Sequence, residues 1–165
     1  MKTTQLPKIK SILFVCWGNI CRSPAAENVM RSLLEESELE DVIECGSAGT
    51  INSHAGNPPD PRMSVAGKRR GLPMTGSAQC ITERDLDHYD LIITMDDFNM
   101  ESVRDLDHSG ITKNKLVPFC SFCQKHSDTE VPDPYYGGDA GFEHVLDLLE
   151  DGCSQIIEII KSQQS

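Results

Sequence analysis

Residues 14–27 read FVCWGNICRSPAAE: a cysteine, Cys16, ends an apolar run, and an arginine, Arg22, follows six residues later. A thiolate is a strong nucleophile. A guanidinium offers a planar fork that matches two oxygens of a tetrahedral oxyanion. Together the two residue types suit attack on a bound phosphate. Cys-x5-Arg alone is a weak pattern, because a cysteine that ends a buried strand is most often a small core residue. Here the spacing coincides with a strand before it, a Gly-Asn turn within it and a helix signal after it. Among the seven cysteines, only Cys16 has an arginine six residues on.

The elements around this stretch explain how it could work. SILFVC (11–16) is a continuous apolar run of buried-strand type. SPAAENVMRSLLEE (23–36) places Ala25, Ala26, Val29, Met30, Leu33 and Leu34 on one helical face, with Ser23 expected as the cap and Pro24 at the first helical position. The loop between them lies where a strand hands over to a helix N-terminus, and such a turn cradles anions with backbone N–H groups. Gly18 is expected to relax the backbone there. Asn19 is expected to accept a left-handed conformation and bridge loop atoms with its side chain. Cys16 would sit at the bottom of the cradle, where the helix N-terminus and Arg22 favour a thiolate. Ser23 could donate a hydrogen bond to its sulfur.

Cleaving a phosphate ester also needs a proton for the leaving oxygen. EVPDPYYGG (130–138) supplies a candidate in Asp133, held between Pro132 and Pro134 in a stiff loop. Tyr135 and Tyr136 follow, and an aromatic beside the pocket could stack on an aryl phosphate. Taken alone, this segment reads as a Pro-Asp-Pro turn with two surface tyrosines; beside the cysteine loop, the acid reading is preferred. Neither G-x-x-x-x-G-K-[ST] nor G-x-G-x-x-G occurs, and no clear His and carboxylate cluster suggests metal-assisted hydrolysis.

The rest of the chain alternates strand and helix signals. Strands are expected at 42–49, 90–96 and 115–119. Helices are expected at 61–71, at 82–89 with Thr82 and Asp85 as capping partners, at 97–106, and from 139 to 161. This order predicts an α/β fold: one domain with a four-stranded parallel sheet flanked by helices on both faces, and the Cys-x5-Arg loop after the first strand. A long loop, 120–138, stands out, and loops of that length in small domains are usually functional.

The chain has 165 residues, 38% hydrophobic and 25% charged, with a formal net charge of -11. That size suits one domain. The acidic balance argues against nucleic acid and against an anionic membrane surface as partners. No apolar stretch is long enough to span a membrane. Residues 1–10 read as a short N-terminal lead-in and 11–163 as the domain. An odd number of cysteines without a regular framework points to free thiols and a cytoplasmic protein.

Taken together, FVCWGNICRSPAAE, SAGT, GNPPDPR, ITMD and VPDPYYGG resemble the low-molecular-weight protein tyrosine phosphatases, in order and from about residue 12 to about residue 149. The pairing of the cysteine loop with a late Asp-Pro-Tyr is very specific. The resemblance implies that Cys16 attacks phosphotyrosine phosphorus, that Arg22 and the loop from Trp17 through Gly18, Asn19, Ile20 and Cys21 hold the phosphoryl group, and that Asp133 is general acid and then base. It implies a cysteinyl-phosphate intermediate and no metal or organic cofactor. Asn19, Ser23 and Ser47 would shape the loop, Tyr135 and Tyr136 would line the pocket, and Cys21 would be able to form a disulfide with Cys16. Partners would be phosphotyrosine-containing proteins or peptides, and the protein a monomer or weak homodimer.

Four positions depart from the family's pattern. Trp17 stands where leucine is common, Ser53 where many members carry an aromatic wall residue, Gly76 where vertebrate members carry histidine, and Gln79 where arginine is frequent. None removes a catalytic group. Trp17 is expected to supply the aromatic wall that Ser53 lacks. CSFCQKH (120–126) suggests zinc or a redox pair, but no second pair completes four zinc ligands, and two free thiols at a strand end is the plainer reading. KRR (68–70) reads as a solvated helix end, and the five histidines are assigned no role. A thioredoxin-coupled arsenate reductase would share the loop but needs two further relay cysteines, of which only Cys80 is a candidate. A noncatalytic phosphotyrosine-binding module would need a broken nucleophile, arginine or acid. A small-molecule phosphatase would have the same pocket floor.

Overall fold

Strand β1 (Ser11–Cys16) is buried along its whole length and forms the axis of the sheet. Its side chains alternate between two cores, as the period-2 geometry of a strand requires. Ile12, Phe14 and Cys16 face one hydrophobic cluster, and Leu13 and Val15 face the other. A strand buried on both faces has no polar side to show, which accounts for the continuous apolar run. The computed structural model describes residues 6–135 and 137–165, so Tyr136 and residues 1–5 of the lead-in lie outside the described residues.

Around β1 the chain adds helix α1 (Arg22–Glu36), strand β2 (Glu44–Gly49), helices α2 (Pro61–Arg69) and α3 (Glu83–His88), strand β3 (Leu91–Thr94), helix α4 (Asp97–Leu106), strand β4 (Leu116–Pro118), a 3-10 turn (Phe119–Phe122) and helix α5 (Asp139–Gln164). The sheet has the order β2-β1-β3-β4, and each pairing is parallel. Helices α1, α2 and α5 pack over the larger core, while α3 and α4 contribute Leu86 and Val103 to the smaller one. The expected α/β architecture is therefore present. Because β2 lies on one side of β1 and β3 on the other, the strand order reverses beside β1. Crevices at the carboxyl ends of the strands at such a reversal are where ligands bind in open α/β sheets. Cys16 ends β1 there, and Asp96 follows β3 on the neighbouring strand.

Local chemistry sets most element ends. Thr82 and Asp85 form the expected capping box on α3, and Asp96 and Asn99 form another on α4. Asp60 caps α2, with Pro61 at the first helical position. Helix α1 differs from expectation. It begins at Arg22, with Cys21 at the cap position and no side-chain capping hydrogen bond. Ser23 is therefore inside the helix and not its cap, because its hydroxyl is committed elsewhere, and Pro24 falls at the third helical position. Proline costs little there, since first-turn N–H groups lack intrahelical partners. The lead-in also touches the core: Ile9 is fully buried, and its N–H donates to Gln163 Oε1 on α5 at 2.8 Å.

Candidate active site

The loop between β1 and α1 is held by a chain of side-chain hydrogen bonds. Asn19 has φ 57°, the left-handed conformation expected of it. Its Oδ1 accepts from the backbone N–H of Gln79 at 2.9 Å, which fixes the orientation of the amide. Its Nδ2 then donates to Ser23 Oγ at 2.7 Å and to Ser47 Oγ at 3.0 Å. Ser47 in turn donates to Glu27 Oε1 at 2.7 Å. Ser23 Oγ lies 2.9 Å from Cys16 Sγ. Ser23 accepts from Asn19, and its own hydrogen can reach either the sulfur or Ala48 O at 3.4 Å. One asparagine thus ties the loop to β2, to α1 and, through Ser23, to the buried Cys16.

Gly18 serves a purpose other than the expected one. Its φ is not in the left-handed region; instead, a Cβ on it would come within 2.9 Å of the His54 ring. The close approach of the His54 ring, from the residue 50–57 loop, leaves no room for a side chain at residue 18 unless that ring shifts. That loop is fastened to the cradle by backbone bonds from Thr50 and Ile51 to Trp17 O, at 3.0 and 3.2 Å. On the other side, the N–H of Asp60 donates to Ile20 O at 2.7 Å, which docks the start of α2 on the same loop.

Arg22 is buried, and its guanidinium reaches three residues on two segments. Nη1 donates to Asp96 Oδ2 at 2.6 Å and to Val131 O at 3.0 Å, and Nη2 lies 3.6 Å from Asp133 Oδ2. Burial works against its charge, but Cys16, Asp96 and Asp133 outweigh burial and raise its pKa further. Asp133 is partly exposed, and its Oδ1 accepts from the N–H of Tyr135 at 3.0 Å. The Asp133 loop is itself tied to the sheet by Val131 N–H donating to Met95 O at 2.8 Å. Cys21 behaves unlike a nucleophile: burial first, then Asp60 and Cys16, push its thiol far above the usual range.

Cys16, Trp17, Gly18, Ile20, Cys21, Arg22, Asp133 and Tyr135, together with His54, line one cleft. The fold thus brings the loop, the arginine and the late aspartate to one place. Trp17 is largely exposed at the cleft, and Tyr135 lies opposite the loop with the Arg62 guanidinium 5.2 Å from its ring centre. Asn19, Ser23 and Ser47 stand behind the loop and not in the cleft. Two residues are missed by sequence reasoning. Asp96 belongs to the quoted ITMD segment, and its place just past a strand on the carboxyl edge was an available signal. His54 had no such signal, since only the folded loop brings it over Gly18. The first turn of α1 lacks a side-chain cap, so its N–H groups remain suited to an anion. A buried sulfur, a buried guanidinium and a partly exposed carboxylic acid around such a turn can bind a phosphoryl group, attack it and protonate what leaves.

Comparison with known proteins agrees. The low molecular weight phosphotyrosine protein phosphatase family model matches residues 11–165. A putative low molecular weight protein-tyrosine-phosphatase of Synechocystis is 47% identical over 146 residues, covering 88% of this chain and 93% of the relative. The human low molecular weight phosphotyrosine protein phosphatase is 36% identical over 149 residues, covering 90% and 94%. Among solved structures, a protein tyrosine phosphatase of Entamoeba histolytica superposes with a TM-score of 0.89 at 39% identity, covering 94% of this chain and 99% of that one. YfkJ of Bacillus subtilis gives 0.87 at 36%, covering 96% and 99%.

Proposed function

This chain belongs to the low molecular weight phosphotyrosine protein phosphatase family and is a protein-tyrosine-phosphatase, a phosphoric monoester hydrolase, and from that premise we propose which of its residues carry the reaction. Cys16 is the nucleophile, Arg22 the phosphoryl clamp and Asp133 the general acid. The observation that carries the assignment is the meeting of Arg22 with Asp133 at 3.6 Å, over a cleft that Cys16 lines.

Phosphotyrosine would enter with its phosphoryl oxygens on the loop N–H groups of residues 17–22 and on the Arg22 fork. Cys16 Sγ attacks phosphorus, the bond to the phenolic oxygen breaks, and Asp133 gives that oxygen its proton. A cysteinyl phosphate results. Asp133, now a carboxylate, takes a proton from water as that water attacks phosphorus, and the sulfur leaves. Ser23 supports the thiolate by donating to it, and Asn19 and Ser47 keep the loop in shape. Trp17 and Tyr135 flank the phenyl ring, and Tyr136 adjoins Tyr135 in sequence. The substrates are phosphotyrosine-containing proteins or peptides. With seven free cysteines, a cytoplasmic setting suits the chain, as a monomer or weak homodimer. Neither metal nor organic cofactor enters this scheme.

The test is release of p-nitrophenol from p-nitrophenyl phosphate without added metal. Activity should survive EDTA, vanish in Cys16→Ser and fall about a hundredfold or more in Asp133→Ala. Robust turnover by Cys16→Ser would overturn the nucleophile assignment.

A further inference from the structure

The 3-10 turn Phe119–Phe122 follows β4, with Cys120 inside it and Cys123 at its C-cap. A 3-10 helix completes a turn in three residues, so side chains at i and i+3 eclipse one another. At roughly 2 Å of rise per residue, the two Cα atoms stand about 6 Å apart, within the span of a disulfide. The turn is closed by the Cys123 N–H donating to Cys120 O at 3.2 Å, and the Cys123 thiol donates to Leu148 O on α5 at 3.6 Å. Both residues are partly exposed, whereas Cys16, Cys21, Cys45 and Cys153 are buried. The neighbouring Cys123 side chain holds the Cys120 thiol below its ordinary value, against burial and the charges of Asp128, Glu130 and Asp151. The neighbouring Cys120 side chain, with burial, pushes the Cys123 thiol up. One sulfur is thereby favoured as nucleophile over the other. Among the described residues no group of three or more His, Cys, Asp or Glu side chains is arranged to hold a metal ion.

We propose that Cys120 and Cys123 form a redox-active dithiol, separate from Cys16, that closes to a disulfide by exchange with a low-molecular-weight disulfide. Cys120 as thiolate attacks one sulfur of the external disulfide. That S–S bond breaks, and the first small thiolate leaves and takes a proton from solvent. Cys123 gives its proton to solvent and attacks the Cys120 sulfur of the mixed disulfide, which expels the second small thiolate. Two protein thiols are oxidised, and one external disulfide is reduced to two thiols. The eclipsed geometry lets the second step occur without unwinding the turn. The consequence is local to the acid: the turn heads the segment that carries Asp133, and Asp151 holds residues 124–126 immediately beyond it.

The experiment equilibrates the full chain, as wild type and as Cys16→Ser, in glutathione buffers of rising oxidised fraction. Samples are quenched in acid, alkylated, cut with trypsin and weighed. Lys115 and Lys125 place both cysteines in one peptide, residues 116–125. In both proteins that peptide should lose its two alkylation sites and two hydrogens, and dithiothreitol should restore them. In Cys123→Ser, Cys120 should stop as the mixed disulfide with glutathione. In Cys120→Ser, capture at Cys123 should be slower than capture at Cys120 in Cys123→Ser, because burial and Asp151 still push the Cys123 thiol up. A peptide that stays doubly alkylated at every buffer ratio would overturn the proposal. So would a mixed disulfide at Cys120 that persists while Cys123 is present.

Discussion

Arg22 shows how much of this site depends on single partners. Its guanidinium is buried and spans Asp96, Val131 O and Asp133. Asp96 is the nearest, at 2.6 Å, and it also caps α4 through Oδ1, which accepts from Asn99 N–H at 2.9 Å. Asp96→Asn keeps an acceptor for the cap but removes the charge that holds the guanidinium in register. It should lower kcat/KM for p-nitrophenyl phosphate by about ten- to a hundredfold, the range expected when a positioning contact is lost. Thermal stability should change little. An unchanged kcat/KM would show that Val131 O and Asp133 suffice to orient Arg22. Trp17 makes a different kind of contribution. It is 43% exposed at the cleft, and Ser53 cannot supply an aromatic face. Trp17→Ala should raise KM for aryl phosphates roughly two- to tenfold with kcat nearly unchanged, the scale of one aromatic contact. If KM does not move, Tyr135 and His54 form the wall alone. At this scale the sequence singled out Cys16, Arg22 and Asp133, which the fold brings to one cleft, and Asn19 behind it, because their spacing or their neighbours are local. Asp96 and His54 act through tertiary contacts, which no local spacing encodes.

Helix α5 and the segment before it form the element that presents Asp133. Asp151, buried on α5, accepts backbone N–H groups from Gln124 and Lys125 at 2.9 Å each and from His126 at 3.1 Å. His126 Nδ1 lies 2.8 Å from the same carboxylate. One side chain therefore anchors the start of the segment that runs to Asp133. Burial pushes the Asp151 carboxyl up, but these donors outweigh it and hold its pKa below the ordinary carboxylate value. Its folded pKa is thus below its unfolded one. The stability it contributes is present above the unfolded pKa and is lost as pH falls through the acid range towards the folded pKa. Asp151→Asn turns an acceptor of several N–H groups into a partial donor. It should cost about 1.5–3 kcal/mol by urea unfolding near neutral pH, the worth of charge-assisted hydrogen bonds. The gap between variant and wild type should narrow at about pH 3, where a carboxylate of ordinary pKa is mostly protonated. A gap that stays constant with pH would mean that the charge on Asp151 does not matter. Sequence reasoning found α5 and the long loop, but the apolar spacing that reveals a helix is silent on a buried aspartate facing the other way. It also misplaced the start of α1. Ser23 has the composition of a cap, but its hydroxyl serves Cys16 and Asn19 instead.

For the whole molecule, the sheet order and the charge balance set the limits. Alternation of strand and helix signals was sufficient for a parallel sheet, but the reversal beside β1 that opens the crevice is a property of strand order, which no single segment specifies. Charge is different, because it is additive and readable in advance. The net value is -11, and the one basic run does not offset it near the surface. Arg70 pairs with Glu143, Asp147 and Glu150 at 2.9, 2.9 and 3.3 Å, and Arg69 lies 3.9 Å from Glu143. The basic end of α2 is thus matched by acids of α5, so Arg70 docks one helix on the other where a solvated helix end was expected. Arg22, the guanidinium that serves the cleft, is buried and acts at contact range. At distance, an approaching phosphopeptide meets a net negative field. Low ionic strength should therefore favour phosphotyrosine peptides with basic flanks over those with acidic flanks in kcat/KM. Salt should shrink that preference as the Debye length falls from about 30 Å at 0.01 M to about 8 Å at 0.15 M. The acidic-flanked peptide should gain rate with salt while the basic-flanked one loses it. Measuring both peptides over a sodium chloride series decides the matter. A preference for acidic flanks at low salt would mean that the loop N–H groups and Arg22 govern approach as well as binding. Equal slopes for the two peptides would place the flanking residues beyond the reach of the protein's field.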